Sequence, residues 1–307
     1  MIDLHTHSSF SDGSDTPEEL AERAARLHLR AIALTDHDTT ASHQDMAAAC
    51  DRLGLELVPG VEISVLDARF PRVTPDGRRV ARGVHVLAYF LPLEETHPVQ
   101  VMLARLRRDR AERNERLIER LRELGFTRLS REAVSAHAAG AEVVGRPHVA
   151  AAMFALHPEI VGERTPASWS RLFVDWLGTT GRAYVPKTTL TLEDLVATAR
   201  GSGTVFSLAH PLLNYLPEAS TATIETQMPA IMASLRERGV AGVEAYYGGA
   251  NSATRSLMVK LARDAGLIPT GGSDYHGLFK ADVSLGVGHS GDLQVPDEVL
   301  DELRAAR

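Results

Sequence analysis

Met1-Ile2-Asp3-Leu4-His5-Thr6-His7 opens the chain as a short apolar strand ending in two histidines two positions apart. On a β-strand, residues i and i+2 point to the same face, so the two imidazoles converge on one point. Two imidazoles at one strand end are the start of a metal site. The rest of the chain returns to this arrangement. Ala31-Ile32-Ala33-Leu34-Thr35 is a second short strand and runs into Asp36-His37-Asp38. Leu55-Glu56-Leu57-Val58 leads to Pro59-Gly60-Val61-Glu62. Val84-His85-Val86-Leu87-Ala88-Tyr89-Phe90 is a further strand, after a basic loop at Arg78, Arg79 and Arg82. The strand ending at Ala209 is followed by His210-Pro211, and the strand ending at Ser273 by Asp274-Tyr275-His276.

Helical patterns separate these strands. Thr16-Pro17-Glu18-Glu19 has a capping residue, proline at the first helical position and glutamate three residues after the cap, the signature of a helix start. Strands alternating with helices imply a parallel sheet. About seven such units suit a barrel better than a doubly wound sheet, because no Gly-x-Gly-x-x-Gly turn follows the first strand. The alternation is interrupted once. From Val99 to Gly181 no strand is legible, and a long helix or helix pair reaches to about Gly125. Further helical pieces fall at 130–138, 147–157 and 166–177. The expected organisation is a β/α barrel built from residues 1–98 and 184–307, with an all-helical insertion at 99–183. The arginines of the long helix, from Arg105 to Arg122, alternate with acids and read as a solvated face laced with i,i+4 ion pairs.

In a β/α barrel the active site lies at the C-terminal ends of the strands. His5, His7, His37, Glu62, His210, Asp274 and His276 stand there, Asp12 lies in the loop after the first strand, and His85 sits less tidily inside its strand. Nine ligand-type residues are too many for one ion. They suit two or three divalent ions with bridging carboxylates, and a set of imidazoles and carboxylates without thiolate suits manganese, zinc or iron. Asp36 and Asp38 read either as residues orienting imidazoles or as polar strand ends.

Composition narrows the class. The 307 residues carry a formal charge of −7, which argues against a general nucleic-acid coat and a stable DNA complex. The single cysteine, Cys50, excludes an intramolecular disulfide and any multi-cysteine zinc site. No apolar run reaches the roughly 20 residues of a membrane helix, and the N-terminus does not read as a leader, so the expected setting is cytoplasmic, away from membranes. Residues 99–183 hold 14 Lys or Arg against 10 Asp or Glu, a balance of +4. A basic cap would thus face an acidic barrel mouth, with a phosphorylated substrate between them.

The motifs Asp3-Leu4-His5-Thr6-His7, Ser11-Asp12-Gly13, Thr35-Asp36-His37-Asp38, Pro59-Gly60-Val61-Glu62-Ile63-Ser64, His85-Val86-Leu87-Ala88-Tyr89, Ala209-His210-Pro211 and Ser273-Asp274-Tyr275-His276 resemble the PHP (polymerase and histidinol phosphatase) superfamily. The resemblance implies a distorted seven-stranded, TIM-like β/α barrel with a trinuclear site, most often manganese. It also implies a grouping. His5, His7, Glu62 and Asp274 would hold one ion. Glu62, His85 and His210 would hold a second, and Asp12, His37 and His276 a third. Gly145-Arg146-Pro147-His148 and Ala183-Tyr184-Val185-Pro186-Lys187 look like the stand-alone phosphoesterases of the nucleoside 3′,5′-bisphosphate phosphatase type, some of which also trim RNA from its 5′ end. Pro147 suits the first turn of a helix, whose N-terminus attracts phosphate. Arg146 and His148 would flank it, Arg146 could grip phosphate bidentately, and Lys187 would add a point charge.

The expected activity is therefore metal-assisted hydrolysis of nucleotide phosphate monoesters, a nucleoside 3′,5′-bisphosphate or an AMP-like ester, with short RNA as a further substrate. His210, His276 and His148 are the candidates to protonate the leaving oxygen. Three alternatives stand beside this: a histidinol phosphate phosphatase, an amidohydrolase-like barrel, and a non-catalytic metal-binding module. The second usually carries a bridging lysine on a middle strand, and none is convincing here.

Overall fold

The computed structural model describes residues 1–74, 77–138, 140–186 and 190–307. Seven strands form one sheet in chain order: β1 (Ile2–Thr6), β2 (Ala31–Leu34), β3 (Glu56–Val73), β4 (Arg79–Tyr89), β5 (Val205–Leu208), β6 (Gly242–Tyr247) and β7 (Ile268–Gly272). The first and last strands meet at the mouth, where His5 O accepts the Asp274 N–H at 2.9 Å and Tyr275 O accepts the His7 N–H at 3.0 Å. The result is the expected seven-stranded, nearly closed barrel with helices outside.

One strand departs from the expected parallel order. β4 pairs antiparallel with both β3 and β5, whereas the β1–β2, β2–β3, β5–β6 and β6–β7 pairs are parallel. Only five residues separate β3 from β4, and the described ones among them form no helix. A direct connection can only turn the chain back on itself, because a parallel partner needs a crossover of a dozen or more residues. Arg79 and Arg82, expected in a loop, are consequently strand residues of this long hairpin. The reversal also accounts for His85. A strand entering from the mouth places its early residues, not its last, at the level of the other strands' C-terminal ends.

β1 contains a one-residue bulge. Its pairing with β2 runs Ile2↔Ala31 and Asp3↔Ile32, then Thr6↔Leu34, three residues advanced against two. A bulge re-aims the side chains that follow it. Ile2 and Leu4 join the apolar packing with Ala31, Ala33, Leu87 and Val205, while His5 and His7 turn to the mouth. Seam closure depends on Gly272. A Cβ there would stand 2.5 Å from both the backbone nitrogen and the Cβ of His5, so any side chain would force β7 off β1.

The helices follow the sequence signals closely. In α1 (Pro17–Arg26), Thr16 and Glu19 form the capping box that the sequence announces. Together with α2 (His43–Leu53), it covers β2 through Leu20, Ala24, Met46 and Cys50. α3 (Pro98–Glu123) is one continuous helix, not a pair. Its first half packs Val99, Leu103 and Leu106 on the barrel's outer core. Its second half shares a separate core with α4 (Arg131–Ser135) and α5 (Arg146–Leu156), through Leu117, Leu121, Phe126, Val149 and Met153. Two short helices, α6 (Pro158–Val161) and α7 (Pro166–Leu172), and a π-helical turn at Phe173–Leu177 complete this region. The remaining helices, α8 (Leu192–Thr198), α9 (Pro211–Tyr215), α10 (Thr221–Glu237), α11 (Ser252–Asp264) and α12 (Glu298–Ala305), return to the barrel. Among the described residues, no helix is long and apolar enough to cross a membrane.

Candidate active site

Six of the seven strands deliver candidate ligands at the same end of the barrel. β1 ends in His5 and His7, β2 leads to His37, β3 carries Glu62, β4 carries His85, β5 leads to His210, and β7 leads to Asp274 and His276. Glu62 is the hub. Its Oε1 lies 2.8 Å from His85 Nδ1 and 2.9 Å from His210 Nε2, and its Oε2 lies 3.1 Å from His37 Nδ1 and 3.3 Å from His7 Nε2. Asp274 Oδ1 stands 3.5 Å from His5 Nε2 and 3.6 Å from His7 Nε2. Asp12 reaches His7, His37 and His276 at 3.7, 3.7 and 3.5 Å. All nine residues singled out as ligands thus lie in one cluster.

Backbone strain accompanies the cluster. Asp38, His210 and Asp274 have positive φ values of 54°, 29° and 58°. For non-glycine residues such conformations are costly and gather at functional sites. Each falls just after a strand, where the chain must turn sharply to keep its side chain at the mouth.

The cluster's electrostatics are those of mutually compensating charges. Burial pushes the His7 imidazole down, but its contacts with Asp274 and Glu62 outweigh this and raise it to about 9. Burial would raise Glu62, yet the surrounding His37, His85 and His5 hold it well below the ordinary carboxylate value. His37 and His276 stay well below the ordinary imidazole value because burial dominates.

The donor set fits divalent metal ions. His5 Nε2, both ring nitrogens of His7, Asp12 Oδ1, His37 Nδ1 and His210 Nδ1 are buried without a hydrogen-bond partner. Buried polar atoms are almost always satisfied, and these are the imidazole and carboxylate donors that manganese, zinc or iron takes. Three groups bring ligand atoms within 4.8 Å of one another: His7, Asp12, His37 and His276; His5, His7 and Asp274; and His37, Glu62 and His85. These differ in detail from the grouping implied by the resemblance. His7 joins the Asp12 group, and His37 stands with Glu62 and His85 where His210 was expected.

Behind the candidate ligands stands a layer of supporting residues, of which Glu244 and Asp3 were not singled out from the sequence. Glu244, in the apolar run of β6, holds His5 Nδ1 at 2.9 Å and accepts the His210 N–H at 2.6 Å. That turns His5 Nε2 toward Glu62 and Asp274. A carboxylate alone within an otherwise apolar strand was the available signal. Asp3 accepts hydrogen bonds from Ser273, Gly286 and the His5 N–H, tying β1 to the loop after β7. Asp36 binds Ser8, Ser11 and Ser42 and so shapes the loop that presents Asp12. Asp38 pairs with Arg110. Neither of these aspartates bonds an imidazole among the described residues.

Above the cluster the helical region forms a roof. One cavity is lined below by Asp12, His37, Glu62, His85, His210, Asp274 and His276, and above by Arg110, Arg113, Arg146, Trp169, Phe173 and Phe279, with Lys280 at the edge. Lys280 Nζ lies 2.6 Å from Asp274. Arg113 is only 6% exposed. Burial, with repulsion from Arg110 and Arg146, lowers its guanidinium to about 9. Arg146 is lowered by the same causes, burial first and then Arg110. Arg146 donates to Leu177 O at 3.2 Å, and among the described residues neither it nor Arg113 has a carboxylate at ion-pair distance. The solvated face expected for this arginine run is therefore only part of α3. Arg105–Asp109 is such an i,i+4 pair, while Arg110 and Arg113 turn inward.

His148 is placed differently from Arg146. Its Nδ1 accepts the Gly145 N–H at 3.0 Å, and its ring packs edge-on to Phe279 at 5.4 Å. It closes the first turn of α5 and does not line the cavity. Lys187 lies outside the described residues.

A barrel mouth with convergent imidazoles and carboxylates under a cationic roof defines a metal-dependent hydrolase fold. The PHP domain model matches residues 3–158, and the chain belongs to that family. It is similar to a phosphoribosyl 1,2-cyclic phosphate 1,2-diphosphodiesterase from Eggerthella lenta, 30% identical over 90% of this chain and 94% of that protein. A 3′,5′-nucleoside bisphosphate phosphatase from Chromobacterium violaceum is 28% identical over 95% and 92%. A 5′-3′ exoribonuclease from Haemophilus influenzae is 27% identical over 89% of each. Among solved structures, one described as a metal-dependent phosphoesterase from Bifidobacterium adolescentis superposes with a TM-score of 0.77 at 28% identity, covering 99% of this chain and 96% of that one. The class is that of metal-dependent phosphoesterases; the relatives agree on phosphorus and differ in the ester.

Proposed function

We propose that this chain hydrolyses phosphate monoesters of nucleotides, nucleoside 3′,5′-bisphosphates or AMP-like esters, using two or three divalent ions, manganese foremost with zinc or iron as alternatives. His5, His7, Asp12, His37, Glu62, His85, His210, Asp274 and His276 would hold the ions. Ions so held supply Lewis acidity and acidify water. The observation that carries the substrate reading is the pair of guanidiniums, buried Arg113 and half-buried Arg146, that line the cavity over the cluster with no carboxylate at ion-pair distance among the described residues. Buried charge without a counter-ion is expensive, and a phosphoryl group bound between roof and floor would compensate it.

The chain's own residues then have distinct tasks. Arg146 and Arg113 grip the phosphoryl oxygens, and an arginine does so bidentately. Lys280 adds a cation at the edge of the same cavity; Lys187, outside the described residues, is kept as a candidate to add a point charge to the bound phosphate. Of the three candidates to protonate the leaving oxygen, His210 and His276 line the cavity and His148 does not; only a ring nitrogen that holds no ion can serve, and the Nδ1 of His276 is engaged with Asp274 O. Phe173 and Phe279 line the cavity with rings on which a nucleobase can stack, whereas the Trp169 ring is taken by Phe154 and Arg164. We take residues 99–183 as the cap over a barrel of residues 1–98 and 184–307.

The test is phosphate release by manganese-loaded protein on four substrates side by side: adenosine 3′,5′-bisphosphate, AMP, histidinol phosphate and a short 5′-phosphorylated RNA. Preference for the bisphosphate or RNA supports the reading. Preference for histidinol phosphate overturns the substrate and leaves the metal cluster standing.

A further inference from the structure

A run of consecutive residues from Glu142 to Arg146, between α4 and α5, fastens the helical region to the barrel, and it does so at two ligand loops. The Glu142 carboxylate accepts the hydroxyl of Thr39, two residues after His37. The Val143 N–H donates to Phe10 O at 3.1 Å, two residues before Asp12. Val144 O accepts from Asn114 of α3 at 2.7 Å. Gly145 lies against Asp12 itself, since a Cβ there would stand 3.3 Å from Asp12 Oδ2 and 3.5 Å from Asp12 Cβ. Arg146 then enters the roof.

α3 closes this fastening from the other side. Arg107 Nε lies 3.2 Å from Glu142 Oε1, and the same guanidinium donates to Asp38 O at 3.1 Å. Arg110 pairs with the Asp38 side chain. Asp38 turns the chain directly after His37 with a φ of 54°, a conformation that persists only where its surroundings hold it. Thr39 is fully buried, whereas the Glu142 side chain is 37% exposed, so a surface carboxylate reaches inward to an inner hydroxyl. The opposite end of the cluster is held differently. Glu244 and Tyr247 of β6 bond His5 and Asp274, and Lys280 bonds Asp274 from beyond β7. All three belong to the barrel.

We propose that Glu142 is a positioning residue for the Asp12–His37 end of the cluster: the helical region completes the ion site there, while the site of His5 and Asp274 is complete within the barrel. This rests on the metal-dependent reading above, but not on its choice of substrate. The run from Glu142 to Arg146 thereby sets the phosphate-gripping Arg146 and the Asp12–His37 ligands at a fixed separation.

The test is a manganese titration of metal-stripped protein. Electron paramagnetic resonance distinguishes bound from free ion, and a chromogenic chelator sets the free concentration. The proteins are wild type, Glu142→Ala, Thr39→Val, the double variant, Glu142→Gln, whose amide oxygen still accepts from Thr39, and Asp12→Asn with and without Glu142→Ala. In each single variant at Glu142→Ala or Thr39→Val, one manganese equivalent should bind about tenfold more weakly, as for a lost outer partner, with the other equivalents unchanged. The double variant should be no weaker than the weaker single, because both remove one contact. Glu142→Gln should stay within about twofold of wild type. Glu142→Ala should add nothing to Asp12→Asn, which identifies the ion affected. Urea midpoints should match across the Glu142 variants, whereas a merely structural role would lower them and leave the ions alone.

Unchanged affinity in either single variant, equal weakening of every ion, additive losses in the double variant, or failure of Glu142→Gln to rescue overturns the proposal. A wild type that binds no manganese overturns the cluster reading and this proposal with it. A wild type that binds manganese and turns over none of the four substrates overturns the activity alone, and the titration still decides the role of Glu142.

Discussion

The floor and the roof of the catalytic cavity are built on opposite principles. In the floor, Glu62, Asp274 and Asp12 stand among six imidazoles, and each charge has opposite charge beside it. In the roof, the buried Arg113 and the half-buried Arg146 repel each other and have no carboxylate partner among the described residues. The floor's charges offset one another while its unpartnered ring nitrogens call for cations, and the guanidiniums of the roof call for an anion. The difference separates two kinds of specificity. A floor of this type suits phosphoester chemistry in general, as relatives acting on different esters indicate. The roof and its surroundings then select what carries the phosphate.

The largest effects are expected in the floor. Asp274→Asn or His7→Ala should abolish turnover, with a loss beyond about a thousandfold, and lower the metal content measured by elemental analysis. Near-wild-type rates in a metal-replete variant would sink the ligand assignment. In the roof, Arg113→Ala or Arg146→Ala should cost about a hundredfold in kcat/KM, as for a lost transition-state donor, with metal content intact. Loss of metal in those variants would erase the distinction between the two halves.

A control outside both lies at Asp67. It is fully buried and accepts hydrogen bonds from both Arg238 nitrogens and from Tyr215. Asp67→Asn should destabilise the fold by up to about 3 kcal/mol in urea unfolding, because it leaves the buried Arg238 guanidinium with only the half-exposed Glu193 carboxylate at 3.6 Å. Burial alone would raise this carboxyl; the bonds from Arg238 and Tyr215 outweigh that and lower it. A carboxyl lowered by folding stabilises above its unfolded value and loses that contribution as pH falls through the folded one. The gap between wild type and variant should thus be full above about pH 4 and close on further acidification. A gap that widens toward acid would contradict the assignment.

Between floor and barrel, Glu244→Gln should weaken metal binding by about 10- to 100-fold, read by competition with a chromogenic chelator. Unchanged affinity would mean that its contact with His5 does not orient the ring. The smallest effect belongs to Thr16→Ala, which removes the α1 cap and should cost about 1 kcal/mol without altering kcat. A matching loss of activity would show that α1 communicates with the adjacent Asp12 loop.

The ligand residues were legible because each follows a short apolar run, and strand ends are places where sequence position and spatial position coincide. Glu244 and Asp3 were not, because a polar residue inside a strand looks the same whether it points to a cluster or to solvent. Arg113 was hidden among eight similar arginines of α3, and only the packing of Leu117 and Leu121 against α5 determines which of them turns inward. Lys280 and Phe279 lie in a short 3₁₀ turn after β7 with no periodic pattern to mark them.

By itself, the order of apolar runs, helix caps and strand-end histidines determined that this chain builds a barrel with a metal-type cluster at one mouth. Those are local matters, set by side-chain period and by where a strand must stop. Only the tertiary structure decided that β4 runs backwards, that Glu244 comes to hold His5 Nδ1, and that Arg113 and Arg146 meet above Glu62. Each of these depends on which segment, distant in sequence, comes to lie alongside, and that is settled by the packing of the whole.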